Sequence, residues 1–97
     1  MFNIVYDDTA EAQLKELSSR KDLVRRFKAV TKALILLSQN PRHPSLHTHE
    51  FDEYSRALGV KVYEAYAENA TPRAYRIFFF YGEDKNTIKI FRIEPHS

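Results

Sequence analysis

The stretch AYRIFFFYG, residues 74–82, decides how the rest of this sequence can fold. It is dominated by aromatic residues, which favour strands. Because successive side chains of a strand point to opposite faces, Tyr75, Ile77 and Phe79 share one face. Arg76 and the other even-numbered residues lie on the opposite face. The stretch therefore predicts a sheet with one apolar face and an arginine on the other face.

Two more strands surround this stretch. The run 60–68 is rich in β-branched and aromatic residues, and the turn-forming residues 69–72 connect it to the strand at 73–81. This pair predicts a hairpin. A second turn then leads into a last strand at 87–93, which Pro95 ends.

The N-terminal part of the sequence predicts one short strand and a pair of helices. Residues 2–6 alternate as a strand. Asp8, with Glu11 three residues later, forms a capping-box-like start to a helix near Thr9. A second apolar series at helical spacing predicts a helix over residues 22–38, which the following Asn-Pro pair stops.

The segment between the second helix and the hairpin, residues 41–58, is rich in Pro and His and predicts a long irregular loop. Leu46 and Phe51 are its expected anchors. The resulting order is β-α-α-β-β-β, an α+β class in which a helical hairpin packs on one face of a mostly antiparallel sheet. We expect a single domain over residues 1–97, with the other sheet face left for a ligand.

Composition and charge indicate the cellular compartment and the kinds of partner that we expect for the protein. The chain has no cysteine, which excludes disulfides and thiolate metal sites and fits a reducing compartment. The N-terminus does not resemble a signal peptide, and no apolar run approaches the roughly 20 residues of a membrane span. We therefore expect a cytoplasmic protein with no membrane partner. The formal net charge is only +2, so any attraction for RNA must come from locally clustered Lys and Arg.

The whole pattern resembles the RelE/ParE toxin superfamily. The resemblance is carried by the element order together with LSQNPRHPSL (37–46), VYEAYAEN (62–69) and AYRIFFFYG (74–82). Its sharpest part is the Tyr75-Arg76 pair at the start of an aromatic strand. This pair looks like the YRxxY strand of the family, with Phe79 where Tyr is often found.

The resemblance implies a RelE-like toxin of a type II toxin-antitoxin system. Many members of the family cleave mRNA in the ribosomal A site, some inhibit DNA gyrase, and most are neutralised by a small cognate antitoxin. The implied partners are therefore an antitoxin together with the ribosome and mRNA, or alternatively gyrase. Arg76 is the residue that matches a catalytic position of the family.

The residues themselves can supply metal-free RNA cleavage, which needs a base, an acid and a cation that stabilises the phosphate. Arg76 is the candidate cation, because a guanidinium stays charged and can grip phosphate with two donors. The alternative is a structural arginine paired with Glu64 or Glu68 on the neighbouring strand. Glu64 is itself a candidate base or a partner that orients Arg76. His47 and His49, two residues apart before that strand, are candidate acids or bases.

His96 is a further candidate acid or base near the C-terminus, where several RelE-like nucleases carry a histidine or tyrosine. Direct alignment from Arg76 places Glu94 nearer to that position, so His96 can also be a tail residue. We expect no cofactor and no metal. A zinc site built from His43, His47, His49 and Glu50 is conceivable, but the spacing lacks the paired-ligand pattern of known metal motifs.

Six basic residues are candidates for contacting RNA, and a solvated surface is the alternative for each of them. Three of them lie at helical spacing on the second helix, and three lie around the predicted strands. They are Arg25, Lys28 and Lys32, and Lys61, Arg73 and Arg42.

Acidic residues crowd the same segments, which repels RNA and separates this sequence from more basic nucleases of the family. They are Glu50, Asp52, Glu53, Glu64 and Glu68. Three hypotheses follow, in order of preference: a ribosome-dependent mRNA endonuclease, a non-nuclease binder resembling the gyrase inhibitors, and a diverged module that has lost toxicity.

Overall fold

Residues 1–96, which the computed structural model describes, form five strands and three α-helices. The strands are β1 (Asn3–Tyr6), β2 (His49–Glu50), β3 (Tyr63–Tyr66), β4 (Tyr75–Tyr81) and β5 (Thr87–Pro95). The helices are α1 (Asp8–Ser19), α2 (Val24–Gln39) and α3 (Asp52–Leu58), with single 3-10 turns at Lys21–Leu23 and Pro44–Leu46. Ser97, the last residue of the predicted domain, lies outside the described residues.

The strands make one sheet in the order β1-β5-β4-β3-β2. β1 runs parallel to β5, and every other neighbouring pair is antiparallel. This confirms the predicted α+β class with a mostly antiparallel sheet. A parallel edge strand is a consequence of the helical hairpin, because the chain crosses the sheet between β1 and the strands that follow.

The two long helices begin close to the predicted positions, with different caps. Asp7, and not Asp8, caps α1, because its carboxylate accepts the Ala10 N–H at 2.9 Å. The predicted start of the second helix at Asp22 is replaced by a 3-10 turn, and α2 begins at Val24 without a side-chain cap. Asp22 instead pairs with Arg20 at 2.7 Å.

The hairpin of α1 and α2 covers the face of the sheet that carries Tyr75, Ile77 and Phe79, as predicted. Ile77 and Phe79 are fully buried there against Val30 of α2 and other helix residues. Fully burying an apolar side chain of this size contributes about 1.5–3 kcal/mol, so this face provides most of the hydrophobic stabilisation.

Because of a β-bulge in β5, this strand packs apolar side chains on both faces of the sheet. Phe78 pairs with Arg92, whereas the next residue, Phe79, pairs with Ile90, so β5 holds one extra residue at this point. The extra residue shifts the alternation of side chains. Ile90 and Ile93 therefore both reach the hairpin-side core, and Phe91 is free to pack on the opposite face.

The opposite face carries a helix that the sequence did not predict. The segment 41–58 was expected to be irregular, but it contains β2 and the seven-residue helix α3. Tyr54 of α3 packs edge-on against Phe78 and Phe91, with ring centres 4.9 and 5.3 Å apart. The prediction of a wholly open second face was therefore wrong in this part. The expected anchors are in place, since Leu46 is buried and Phe51 packs on Phe78 at 4.9 Å.

Among the described residues, no helix combines the length and the apolar character needed to cross a membrane.

Candidate functional site

Arg76 lies on the sheet face opposite the helical hairpin, and the protein itself covers its guanidinium. Only 8% of the side chain is exposed. Its Nε lies 3.4 Å from Glu64 Oε2, and its Nη1 donates to the Glu68 carbonyl at 2.6 Å. Its Cζ lies 3.6 Å from the centre of the Tyr66 ring. The guanidinium thus lies on the predicted sheet face. It is also paired with the Glu64 carboxylate, which was the alternative, structural interpretation of Arg76.

Strand register explains this arrangement. Tyr66 lies directly across from Arg76 in the β3–β4 pair, and Glu64 lies across from Phe78. Side chains opposite each other on one sheet face approach within contact distance, and diagonal neighbours remain within reach of long side chains. The same pairing that builds the sheet therefore brings a carboxylate and an aromatic ring onto the guanidinium.

His49 extends the cluster toward solvent. Its Nε2 lies 2.8 Å from Glu64 Oε1, and its Nδ1 lies 2.7 Å from the His47 carbonyl oxygen. The His47 carbonyl oxygen can only accept a hydrogen bond, and so can the Glu64 carboxylate when it is ionised. Both contacts are therefore hydrogen bonds when each ring nitrogen of His49 carries a proton. His49 is then a cation that is 47% exposed and has a proton to give. Glu64, itself 7% exposed, lies between the charges of His49 and Arg76.

Tyr66 contacts Arg76 and both histidines of the cluster and was not predicted as a site residue. Besides Arg76, its ring contacts His47 at 5.0 Å and His49 at 6.0 Å between ring centres. The sequence held a signal for it, because Tyr66 is two residues after Glu64 in the same strand and therefore shares its face. Four of the five predicted catalytic residues, Arg76, His47, His49 and Glu64, thus meet around this ring.

A second arginine braces the turn beside the cluster. Arg26 of α2 donates to Glu68 Oε1 at 3.0 Å and to the Arg73 and Pro72 carbonyls at 2.7 and 3.1 Å. The backbone of Arg73 has a positive φ of 52°. Because these contacts fix the β3–β4 turn, they also fix the Glu68 carbonyl that holds Arg76. Sequence reasoning selected the neighbouring Arg25, which is exposed.

Comparison with solved structures places this arrangement in a known fold. The "YoeB/ParE toxin from Agrobacterium tumefaciens" superposes with a TM-score of 0.74 at 6% identity, covering 99% of this chain and 100% of that one. A chain of an archaeal RelE-RelB complex from Pyrococcus horikoshii OT3 gives a TM-score of 0.65 at 14% identity, covering 97% of this chain and 93% of that one. The intact E. coli RelBE toxin-antitoxin complex gives 0.57 at 15% identity, covering 100% and 99%. No family model and no curated protein matches the sequence.

This chain has the RelE/ParE toxin fold. The shared fold was the expectation drawn from the AYRIFFFYG strand and the element order, and it is confirmed. At these identities the likeness concerns the fold, so the chemistry of the site has to be argued from its own residues.

Within the RelE/ParE fold, the third predicted histidine stands apart from the cluster. The backbone N–H of His96 donates to the Ala74 carbonyl at 2.7 Å, which places His96 at the same end of the sheet as Arg76. The residue is exposed, and within residues 1–96 its ring makes no hydrogen bond or ion pair with Arg76.

Glu94 is engaged elsewhere, although it lies directly across from Arg76 in the β4–β5 pair. It accepts the Tyr54 hydroxyl at 2.5 Å. Burial first, and then this hydrogen bond, raises the pKa of Tyr54 to about 12. The bond ties α3 to β5 beside the cluster.

Two of the predicted RNA-contacting residues lie far from Arg76 along the strands. Lys61 precedes β3 at the end away from Tyr66 and shares a shallow cleft with Glu50 and Asp52. Arg42 lies near the far end of β4. Burial raises the pKa of Tyr81 there, and the charge of Arg42 opposes this rise.

Three further basic candidates, Arg25, Lys28 and Lys32, lie on α2. Arg25 and Lys28 are exposed on α2, which contains four cationic side chains and no acidic one. Lys32 lines a groove of about 260 Å³ together with Ser45, Leu46 and Tyr66. This groove connects the basic side of α2 with the Tyr66 ring.

Across residues 1–96, no three His, Cys, Asp or Glu side chains come together as a metal-binding group. The contacts of His49 also engage both of its ring nitrogens, which leaves no lone pair for a metal ion when both carry protons.

Proposed function

We propose that this protein is the toxin of a type II toxin-antitoxin pair and acts in the cytoplasm as a ribosome-dependent, metal-independent mRNA endonuclease. The observation that carries the proposal is the contact chain His49–Glu64–Arg76 on the sheet face away from the helical hairpin. It joins a proton donor, a carboxylate base and a fixed cation, the three groups that RNA transesterification requires. The shared fold with known toxins supports the same assignment.

The proposed reaction uses each group once. Glu64 takes the proton of a ribose 2′-hydroxyl, and the 2′-oxygen attacks the adjacent phosphorus. Arg76 stabilises the negative charge that builds on the phosphate oxygens. The proton that Glu64 has taken weakens its contact with His49, and the His49 Nε2–H then gives its proton to the departing 5′-oxygen as the P–O bond breaks. The products are a 2′,3′-cyclic phosphate and a free 5′-hydroxyl, and proton exchange with water restores the two side chains.

The covered state of Arg76 is consistent with dependence on the ribosome. A phosphate can reach a guanidinium that is 8% exposed only after a covering group moves. Such a rearrangement needs binding energy, and a large partner supplies more of it than a short free RNA does. The basic face of α2 is the surface we assign to contacts with ribosomal RNA phosphates.

A cognate antitoxin is the proposed protein partner. Two of the similar structures are described as RelE-RelB and RelBE complexes. The exposed apolar side chains of this chain offer surfaces that an antitoxin segment can cover. They include Val24 and Ile35 on α2 and Val5 and Leu58 around the second face.

Cleavage mapping in a translating extract tests the proposal. Wild-type protein is expected to cut ribosome-bound mRNA and leave 5′-hydroxyl ends, and Arg76→Ala is expected to abolish the cuts. Because Arg76 is buried and its loss can unfold the protein, His49→Gln is the second variant. His49 is half exposed, so this variant should stay folded and lose cleavage. Arg20→Ala, at an exposed arginine outside α2 and the cluster, is the matched control and should retain site-specific cuts. Intact mRNA with folded wild-type protein overturns the proposal.

A gyrase-directed binder is the second candidate, and one observation favours it. Acidic residues Glu50, Asp52 and Glu53 are exposed in and before α3, which disfavours an RNA approach from the α3 side. This candidate predicts growth arrest with intact mRNA and a supercoiling defect in a gyrase assay. A protein that has lost toxicity predicts neither effect.

A further inference from the structure

We propose that Tyr66 is the shield of Arg76: its ring covers the guanidinium in the free protein and swings away when a phosphate binds. The inference rests on the proposed function for the identity of the incoming group, an RNA phosphate. It assigns to Tyr66 a positioning and access role, and no proton transfer.

The contact itself is the first support. The Arg76 Cζ lies 3.6 Å from the centre of the Tyr66 ring, which is van der Waals contact between the guanidinium and the ring face. The Glu68 carbonyl accepts from Nη1, and Glu64 Oε2 lies 3.4 Å from Nε, which is buried and makes no hydrogen bond within the described residues. A phosphate that approaches Arg76 across the face of the sheet therefore meets the Tyr66 ring.

Tyr66 is also the covering group that can move. Glu64 is buried and contacts both His49 and Arg76, and the Glu68 contact comes from a backbone carbonyl in a turn that Arg26 fixes. Tyr66 is half-buried and is the last residue of β3. Within the described residues its hydroxyl makes no hydrogen bond. Rotation of this side chain therefore breaks ring contacts only.

The structure offers a destination for the ring. The groove that Tyr66 lines, with Lys32, Ser45 and Leu46, has a volume of about 260 Å³, enough for an aromatic side chain. Movement into it uncovers the guanidinium on the side where His47 and His49 contact the ring. A phosphate in the vacated place then lies beside both Arg76 and His49, as the proposed reaction requires.

Chemical labelling tests the shield without any cleavage. Phenylglyoxal modifies accessible arginines, and peptide mass spectrometry reports the rate at Arg76. We expect slow modification in the wild type and in Tyr66→Phe, which keeps the ring. In Tyr66→Ala we expect modification about tenfold faster, the factor that removal of a moderate ring contact produces. Exposed Arg25 is the internal standard and should react equally in all three proteins.

Labelling of Arg26 is the control for local unfolding of the β3–β4 turn. If the Tyr66→Ala substitution opens the whole β3–β4 turn, Arg26, which braces that turn, will also react faster. Acceleration at Arg76 alone supports the shield. Acceleration at both arginines, or equal rates at Arg76 in wild type and Tyr66→Ala, overturns it.

Free RNA supplies a second measurement that a purely structural Tyr66 would not change. Tyr66→Ala is expected to cleave an unstructured RNA oligonucleotide without ribosomes about tenfold faster than wild type and Tyr66→Phe do. Fast labelling of Arg76 with no cleavage by any variant, with or without ribosomes, keeps the shield and removes the nuclease. If the wild type shows ribosome-dependent cleavage but Arg76 is labelled at the same rate in wild type and Tyr66→Ala, the nuclease proposal stands and the shield proposal is wrong.

Discussion

The two faces of the sheet are stabilised by different kinds of contact. On the hairpin side, Ile77 and Phe79 are fully buried among apolar side chains, with no polar group to satisfy. On the second side, buried Phe78 is neighboured by Arg76 and Glu64, two charged groups that are almost equally buried. An apolar face gains from every contact, whereas a buried charge is tolerated only with its partner in place. The second face is therefore the one whose geometry is specified by individual residues.

Removing one large ring from each face should give the largest difference. Phe79→Ala empties a fully buried position and should destabilise the protein by about 3–5 kcal/mol. Phe80→Ala, at a half-buried position that lines a cavity of about 400 Å³ on the second face, should lose less than about 2 kcal/mol. Urea unfolding of both variants measures this. Equal losses would contradict the division between the faces.

The same division explains which elements were predictable. The hairpin face follows from local periodicity, because alternation in residues 74–82 and helical spacing in α2 both report which side chains face a core. The helix α3 escaped prediction because its seven residues are too few to show a period, and its stability comes from rings of β4 and β5. Tertiary contact decided its structure, not local propensity.

The sequence predicted most of the residues that form the candidate site, but not that the guanidinium of Arg76 is covered. Residue type and position suggested Arg76, Glu64, His47 and His49, and strand alternation could also have suggested Tyr66. The covering of the guanidinium depends on strand register and on the fixed β3–β4 turn. Both arise from contacts between residues distant in sequence, such as Arg26 with Glu68, which a single sequence does not reveal.

Neutralising Glu64 should give the next largest effect. Glu64→Gln leaves the Arg76 guanidinium buried without its counter-charge and should destabilise the protein by about 3 kcal/mol. Replacing both partners, as Glu64→Gln with Arg76→Met, removes the unpaired charge and should be less destabilising than the sum of the two single changes.

A double-mutant cycle by urea unfolding measures this coupling. A matched cycle on Arg20 and Asp22, an exposed pair on the hairpin side, should show coupling below about 1 kcal/mol. Additive losses at Glu64 and Arg76 would mean that the buried charges on the second face do not stabilise one another.

The smallest expected effect concerns the link between α3 and β5. The pKa of Tyr54 is raised to about 12 in the folded protein, chiefly by burial, whereas a tyrosine in the unfolded chain has a pKa near its ordinary value of 10.0. Between these values the unfolded chain has lost the proton that the folded chain keeps, so unfolding becomes more favourable as pH rises. The contribution of Tyr54 is complete below pH 10 and is lost on the way to pH 12.

Tyr54→Phe removes this titration and keeps the ring contacts with Phe78 and Phe91. The wild type should be the more stable protein at neutral pH, by about 1 kcal/mol for the lost hydrogen bond to Glu94. The stability advantage of the wild type should shrink as pH rises above 10, because the unfolded chain loses the Tyr54 proton first. Tyr6 and Tyr81 are present in both proteins, so their titration cancels in the difference. Urea midpoints of the two proteins at matched alkaline pH measure that difference. A constant advantage across this range would mean that the phenol ionises alike in the folded and unfolded chains, and that the rings alone hold α3 on the second face.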